Sequence, residues 1–265
     1  MATPLTAARL VAALKAEGCT VREVTGWRTN NRNHKGAWGP VHGVQIHHTV
    51  TGPGVDVVGL ISRGHSALPG PLATGCITKD GIVHLTGNGR ANHAGGGDGH
   101  VLNAVIAESY KSRPPAPQKH EGSPGAADGN ARFYGWECEN KGDGKDPWPK
   151  IQYDAMVRAT AAICRAHGWK EKSAIGHLEW SDWKVDPRGF DMVDFRADVA
   201  ERLAHPASWS PGAATTYTVA SGDTLWSIAA TKLGDGNRWR EIATLNSLKR
   251  PDDITPGQKL TLPKK

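Results

Sequence analysis

Apolar residues recur at helical spacing in three stretches of the chain. Leu5, Ala8, Val11 and Leu14 fall on one face of a helix that Thr3-Pro4 opens and Gly18 stops. Tyr153, Met156, Val157, Ala161 and Cys164 form a second amphipathic face, ended by Gly168. Met192, Phe195, Val199 and Leu203 form a third, with Asp191 as its N-cap. Between them lie short apolar or alternating runs that read as strands: Val44–Val50, Thr74–Lys79, Gly81–Leu85, Phe133–Cys138 and Ser173–His177. Helices interleaved with strands predict an α/β fold, a central mixed β-sheet flanked by helices.

The pattern breaks twice. From Glu108 to Gly129 the chain carries Pro114, Pro115, Pro117 and Pro124 with little apolar character, which predicts a long loop inside the domain, either a flap over a groove or a floppy insertion. Residues 205–216 are small and polar with two prolines and read as a linker. This places one domain at 1–204 and a second at 217–263. The second reads strand, helix, helix, strand: Tyr217–Val219, a helix capped by Asp223 or Thr224, a helix through Trp239 and Ile242, and a strand at the end.

Composition narrows the function classes. No apolar run approaches the ~18 residues that span a bilayer, so membrane insertion is not expected. The first twenty residues lack the basic and apolar regions of a secretory signal. The 32 basic and 26 acidic residues leave a net charge of +6, which suits an anionic partner. The basic residues form no block, so nucleic acid is not supported. Cys19, Cys76, Cys138 and Cys164 are widely spaced, which argues against a cysteine zinc knuckle and for reduced, buried thiols.

Three segments carry candidate chemistry. In Ile46-His47-His48-Thr49, strand alternation sends the two imidazoles to opposite faces. In the run from Gly176 to Pro187, His177 leaves a strand, and Lys184 and Asp186 follow seven and nine residues later. Two imidazoles and a carboxylate make an open zinc set, with a fourth position for water whose pKa falls from ~15.7 toward ~7. Lys184 then supplies positive charge where an oxyanion develops. In Gly135-Trp136-Glu137-Cys138-Glu139, both glutamates face one side and Trp136 and Cys138 the other. A carboxylate near activated water takes its proton and delivers it to a leaving amine. There is no Gly-x-Ser-x-Gly elbow and no phosphate-binding glycine loop.

These motifs together resemble the zinc-dependent N-acetylmuramoyl-L-alanine amidases, the family that includes phage-lysozyme-like amidases and peptidoglycan recognition proteins. The resemblance covers roughly residues 20–205 and is greatest to endolysins of phages infecting actinobacteria. It implies His47, His177 and Asp186 as zinc ligands, Glu137 as catalytic carboxylate, Lys184 as the oxyanion partner, and His93 near the substrate groove. Trp136 stands where the family usually has a small aliphatic residue and is expected at the groove as a departure from the family pattern. The Tyr217-Thr218-Val219…Gly222-Asp223-Thr224-Leu225-Trp226 and Pro256-Gly257-Gln258 runs resemble the LysM module. That likeness implies glycan binding by Gly222, Asp223, Thr224, Leu225, Asn246 and Ile254. The implied protein is a monomeric phage endolysin that uses zinc and acts on bacterial peptidoglycan. It is made in the host cytoplasm and reaches the wall through a holin. A non-catalytic peptidoglycan-binding protein on the same fold, a host autolysin and a purely structural zinc stand as alternatives.

Overall fold

The computed structural model describes residues 2–118, 127–209, 215–248 and 254–263. The chain divides into two compact units, Met1–Ser208 and Trp209–Lys265. Residues 119–126, within the expected Glu108–Gly129 loop, and 210–214, within the expected linker, lie outside the described residues. Among the described residues no helix is long and apolar enough to cross a membrane.

The first unit contains α1 (Ala7–Ala16), β1 (Thr20–Glu23), β2 (Gly43–His48), α2 (Val57–Arg63), β3 (Gly75–Ile77), β4 (Ile82–Leu85), α3 (Gly99–Ala107), β5 (Phe133–Cys138), α4 (Lys150–His167), β6 (Ala174–Gly176), α5 (His177–Trp180) and α6 (Met192–Leu203). One six-stranded mixed sheet runs β1-β4-β3-β5-β2-β6, with β3 and β4 antiparallel and every other pair parallel. The α/β reading of the sequence therefore describes the fold.

Side-chain alternation divides the sheet into two working faces. Val44 and Ile46 of β2 and Tyr134, Trp136 and Cys138 of β5 pack with Leu10 and Leu14 of α1, Met156 and Ile163 of α4 and Phe195 and Val199 of α6. The opposite face buries Phe133 and Ile175 against Val101 and Val105 of α3 and Trp180 of α5. It also carries His47 and Glu137.

α6 has the expected bounds, and Asp191 caps it by accepting from the Val193 N–H at 2.8 Å. α4 ends at Gly168, whose φ of 71° suits a residue without a side chain. α1 begins later than the sequence suggests. Thr6, not Thr3, is its N-cap, because residues before it are engaged elsewhere. The Ala2 carbonyl accepts from the Val41 N–H at 3.0 Å, and the Leu5 N–H donates to the Tyr134 hydroxyl at 2.7 Å.

The second unit contains β7 (Thr215–Thr218), α7 (Leu225–Leu233), α8 (Trp239–Leu245) and β8 (Lys259–Leu262), with β7 and β8 antiparallel. It has its own core of Val219, Leu225, Ile228, Ala229, Leu233, Ile242, Leu260 and Leu262. Thr224 caps α7 in a reciprocal pair with Ser227, at 3.0 and 2.9 Å.

Candidate metal centre

Strands β2, β5 and β6 run parallel, so their C-terminal ends share one edge of the sheet. That edge brings together residues far apart in sequence. His47 is the fifth residue of β2, Glu137 lies directly across from it on β5, and His177 follows β6 immediately. The loop after α5 returns Asp186 to the same edge, held by a 2.8 Å bond from the Leu178 N–H to the Asp186 carbonyl.

The three expected ligand residues converge. His47 Nδ1 and His177 Nδ1 are 2.9 Å apart, and each lies 3.0 Å from Asp186 Oδ2. A tetrahedral zinc ion with bonds of ~2.0–2.1 Å has ligand-to-ligand edges of about 3.3 Å, close to this triangle. All three residues are buried.

The protons of the two imidazoles test whether the triangle suits a cation. His177 Nε2 lies 3.2 Å from the Ala94 carbonyl, which only accepts, so Nε2 carries the hydrogen and Nδ1 the lone pair. His93 Nε2 faces the Phe133 carbonyl at 3.3 Å and carries its hydrogen there, leaving His93 Nδ1 as an acceptor. His47 Nε2 therefore donates to His93 Nδ1 at 3.1 Å, and His47 Nδ1 is also a lone pair. Two nitrogen lone pairs and a carboxylate oxygen thus meet within 3.0 Å of one another. Such a donor set repels itself unless a cation sits among it, and its N,N,O character suits zinc.

His177 is placed by a buried ion pair that the sequence reading did not pick out. Glu179 accepts from the Gly176 N–H at 3.0 Å and is gripped by Arg196 of α6 at 2.7 and 2.8 Å. Both side chains are buried. Glu179→Ala leaves the guanidinium buried without its carboxylate and is expected to destabilise the unit by about 3–5 kcal/mol. Chemical denaturation of the variant checks this; an unchanged midpoint contradicts it.

Glu137 is half-buried, but its Oε2 is shielded from solvent and has no hydrogen-bond partner. Burial, helped by the charge on Asp186 and opposed by Lys184, pushes its carboxyl up to about 8. Lys184 is half-buried, and its charge acts on both Glu137 and His47. Burial, with the neighbouring His177, pushes His47 down to about 4.

These two shifts predict a stability maximum for the metal-free protein. His47 titrates at 6.5 when free and at about 4 when folded, so its contribution is complete above ~6.5 and is lost as pH falls through 4. Glu137 titrates at 4.5 when free and at about 8 when folded, so its contribution is complete below 4.5 and is lost as pH rises through 8. Between about 4.5 and 6.5 the two slopes cancel, so melting temperature of the metal-free protein against pH should show a plateau there and fall on both sides. A flat profile from 4 to 8 contradicts this.

Of the two residues expected near the substrate groove, His93 lies against His47 and Trp136 lies on the other face of the sheet. Trp136 is fully buried on the opposite sheet face from Glu137, among α1, α4 and α6. Alternation along β5 makes this unavoidable once Glu137 faces the site. His93 is also buried, and both of its nitrogens are occupied by His47 and Phe133. His48 points to the other face as expected, where its Nδ1 accepts from the Arg188 N–H at 3.2 Å.

In the second unit, several expected glycan contacts are engaged in the fold. Leu225 is a core residue, 1% exposed. Asp223 accepts from the Tyr217 hydroxyl and the Ala220 N–H, both at 2.7 Å. The Asn246 amide bonds to Ile242 and twice to Thr261, tying α8 to β8. Ile254 packs against the core. Gly222, with a φ of 87°, and Thr224 are exposed in the turn before α7.

The family profile described as N-acetylmuramoyl-L-alanine amidase matches residues 37–189, more than half the chain. The chain belongs to this family. Within the amidase-family segment fall His47, His93, Glu137, His177, Lys184 and Asp186. The LysM domain profile matches residues 217–263, so the chain joins an amidase-family domain to a C-terminal LysM domain.

Two solved structures are similar at 15% identity and a TM-score of 0.41. They are the endolysine N-acetylmuramoyl-L-alanine amidase LysCS and the N-acetylmuramoyl-L-alanine amidase LysC, both from Clostridium intestinale. Each alignment covers 68% of this chain, and 94% and 96% of the respective structures. Among curated proteins, an uncharacterized protein of Deinococcus radiodurans is 41% identical over 76 residues, 28% of this chain. The uncharacterized protein YqbP of Bacillus subtilis is 40% identical over 65 residues, 20% of this chain. The chain spans 30% of the length of each of these two relatives.

Proposed function

We propose that the protein is a zinc-dependent N-acetylmuramoyl-L-alanine amidase. It would hydrolyse the amide between the lactyl group of N-acetylmuramic acid and the L-alanine of the stem peptide in bacterial peptidoglycan. The observation that carries this reading is the convergence of His47 Nδ1, His177 Nδ1 and Asp186 Oδ2, with the carboxyl of Glu137 one strand away. Three protein ligands leave a position open, as a catalytic site requires and a closed structural site does not.

Zinc, when bound, would polarise the scissile carbonyl and acidify the attacking water. Glu137 takes a proton from that water as its oxygen bonds to the carbonyl carbon, then passes the proton to the amine nitrogen as the C–N bond breaks. To take that proton Glu137 must be ionised, and the charge of a bound zinc would draw its carboxyl down from the raised position it has in the metal-free protein. The ammonium of Lys184 offsets the negative charge that develops on the carbonyl oxygen.

The LysM unit would hold the enzyme on its polymeric substrate and raise the local concentration of cleavable bonds. The net charge of +6 adds attraction to an anionic wall. A chain ending at Ser208 is expected to cleave soluble muramyl peptides at a rate near that of the full chain and to pull down far less with insoluble peptidoglycan. Equal pull-down by both chains contradicts the tethering role. In this reading the protein lyses a bacterial host from within as a phage endolysin, after a holin gives it access to the wall.

Release of new L-alanine amino termini from purified peptidoglycan, abolished by chelation and restored by zinc, tests the assignment.

A further inference from the structure

The hydrogens that leave both Nδ1 atoms bare have a common origin. His93 Nδ1 accepts from His47 Nε2, and the next residue, Ala94, accepts from His177 Nε2 through its carbonyl. Two adjacent residues of one loop thus fix both imidazoles. The loop is itself clamped. Asn130 Oδ1 accepts from the N–H groups of His93, Ala94 and Gly95 at 2.9, 2.8 and 3.1 Å. The Gly129 N–H returns a bond to the Gly95 carbonyl at 2.9 Å. Asn130 lies in a short turn, Gly129–Ala131, just ahead of β5. Gly135 completes the arrangement, because a Cβ there would lie 2.6 Å from His93 Nδ1.

We propose that Asn130 is a positioning residue for the metal centre, acting through residues 93–95 to set the tautomer and orientation of both histidine ligands. It touches no ligand atom and no reacting atom. Its oxygen gathers three successive N–H groups, which fixes the carbonyl direction at Ala94 and the ring of His93. Those two acceptors hold His47 and His177 as Nε2–H tautomers and present both lone pairs to one point. β5 therefore carries Glu137 itself and, through the Phe133 carbonyl and the turn before it, the brace for both histidines. This inference rests on the metal-site reading but not on which bond is cleaved.

The tests are Asn130→Ala, which removes the acceptor, and Asn130→Asp, which keeps an oxygen in its place. Lost outer-shell partners typically weaken metal binding by ~10–100-fold. Asn130→Ala is expected to raise the zinc dissociation constant by about 10-fold or more in chelator competition. Asn130→Asp should stay near wild type. Imidazole nitrogen NMR of the metal-free protein supplies a second readout that a merely structural role leaves unmoved. Wild type and Asn130→Asp should show His47 and His177 as single Nε2–H tautomers, and Asn130→Ala a mixture.

Wild-type zinc affinity together with unmixed tautomers in a folded Asn130→Ala overturns the proposal. Failure of the amidase reading looks different: zinc and tautomers as expected in the wild type, with peptidoglycan left uncut.

Discussion

Glu137→Gln is expected to reduce kcat on peptidoglycan by about 10²–10⁴-fold, the usual contribution of a positioned acid–base group. Zinc content should be unchanged, because Glu137 is not among the three converging ligands. Stability should not fall. The wild-type carboxyl has a shielded, unpartnered oxygen and is pushed up to about 8, so ionising it at alkaline pH costs folding free energy. The neutral amide removes that cost. The alkaline side of the metal-free stability profile should therefore flatten in this variant, while the acid loss to which His47 and the other lowered histidines contribute remains. Near-wild-type turnover removes Glu137 from its proposed role. Lost turnover with lost zinc makes it a ligand instead.

Asp186→Ala is expected to have the second large effect, on metal before chemistry. It removes the only anionic member of the triangle, leaving two neutral imidazoles. Zinc affinity should fall by more than the ~10–100-fold typical of a lost outer-shell partner. At limiting zinc, activity should fall with it and return in part as zinc is raised. The metal-free variant should be as stable as the metal-free wild type or more so, since Oδ2 no longer faces two lone pairs 3.0 Å away. Isothermal titration and melting of the metal-free proteins read both effects. A variant that binds zinc as tightly as wild type contradicts the ligand set.

Much of this site is legible in the sequence because its parts are local. Strand alternation at Phe133–Cys138 puts Glu137 and Trp136 on opposite faces, and the structure places the strand over those same residues. Alternation is the sounder guide to Trp136, setting it on the core face rather than at the expected groove. The Asp191 cap and its apolar stripe define α6 for the same local reason. What periodicity does not carry is strand order. His47 and His177 meet because β2 and β6 are parallel neighbours, a fact set by long-range pairing. The short elements α2, α3 and β1 offer too few periodic positions to stand out.

The supporting residues were illegible for another reason. Asn130 is a polar residue in a Gly-Asn turn and looks like any loop asparagine until its three N–H partners are placed beside it. Glu179 and Arg196 lie on separate helices, 17 residues apart in the chain, and meet in the interior. Their roles reside in contacts across 17 to 37 residues of chain, which no local pattern encodes.

The central claim is that this His-His-Asp centre and Glu137 cut the bond between muramic acid and L-alanine. Mass spectrometry of purified peptidoglycan digested by the full chain, with and without chelator, tests it most directly. The account predicts glycan strands freed of stem peptides and new L-alanine amino termini, both lost on chelation and regained with zinc. Peptidoglycan that binds the protein but stays uncut, or that is cut equally well after chelation, contradicts it.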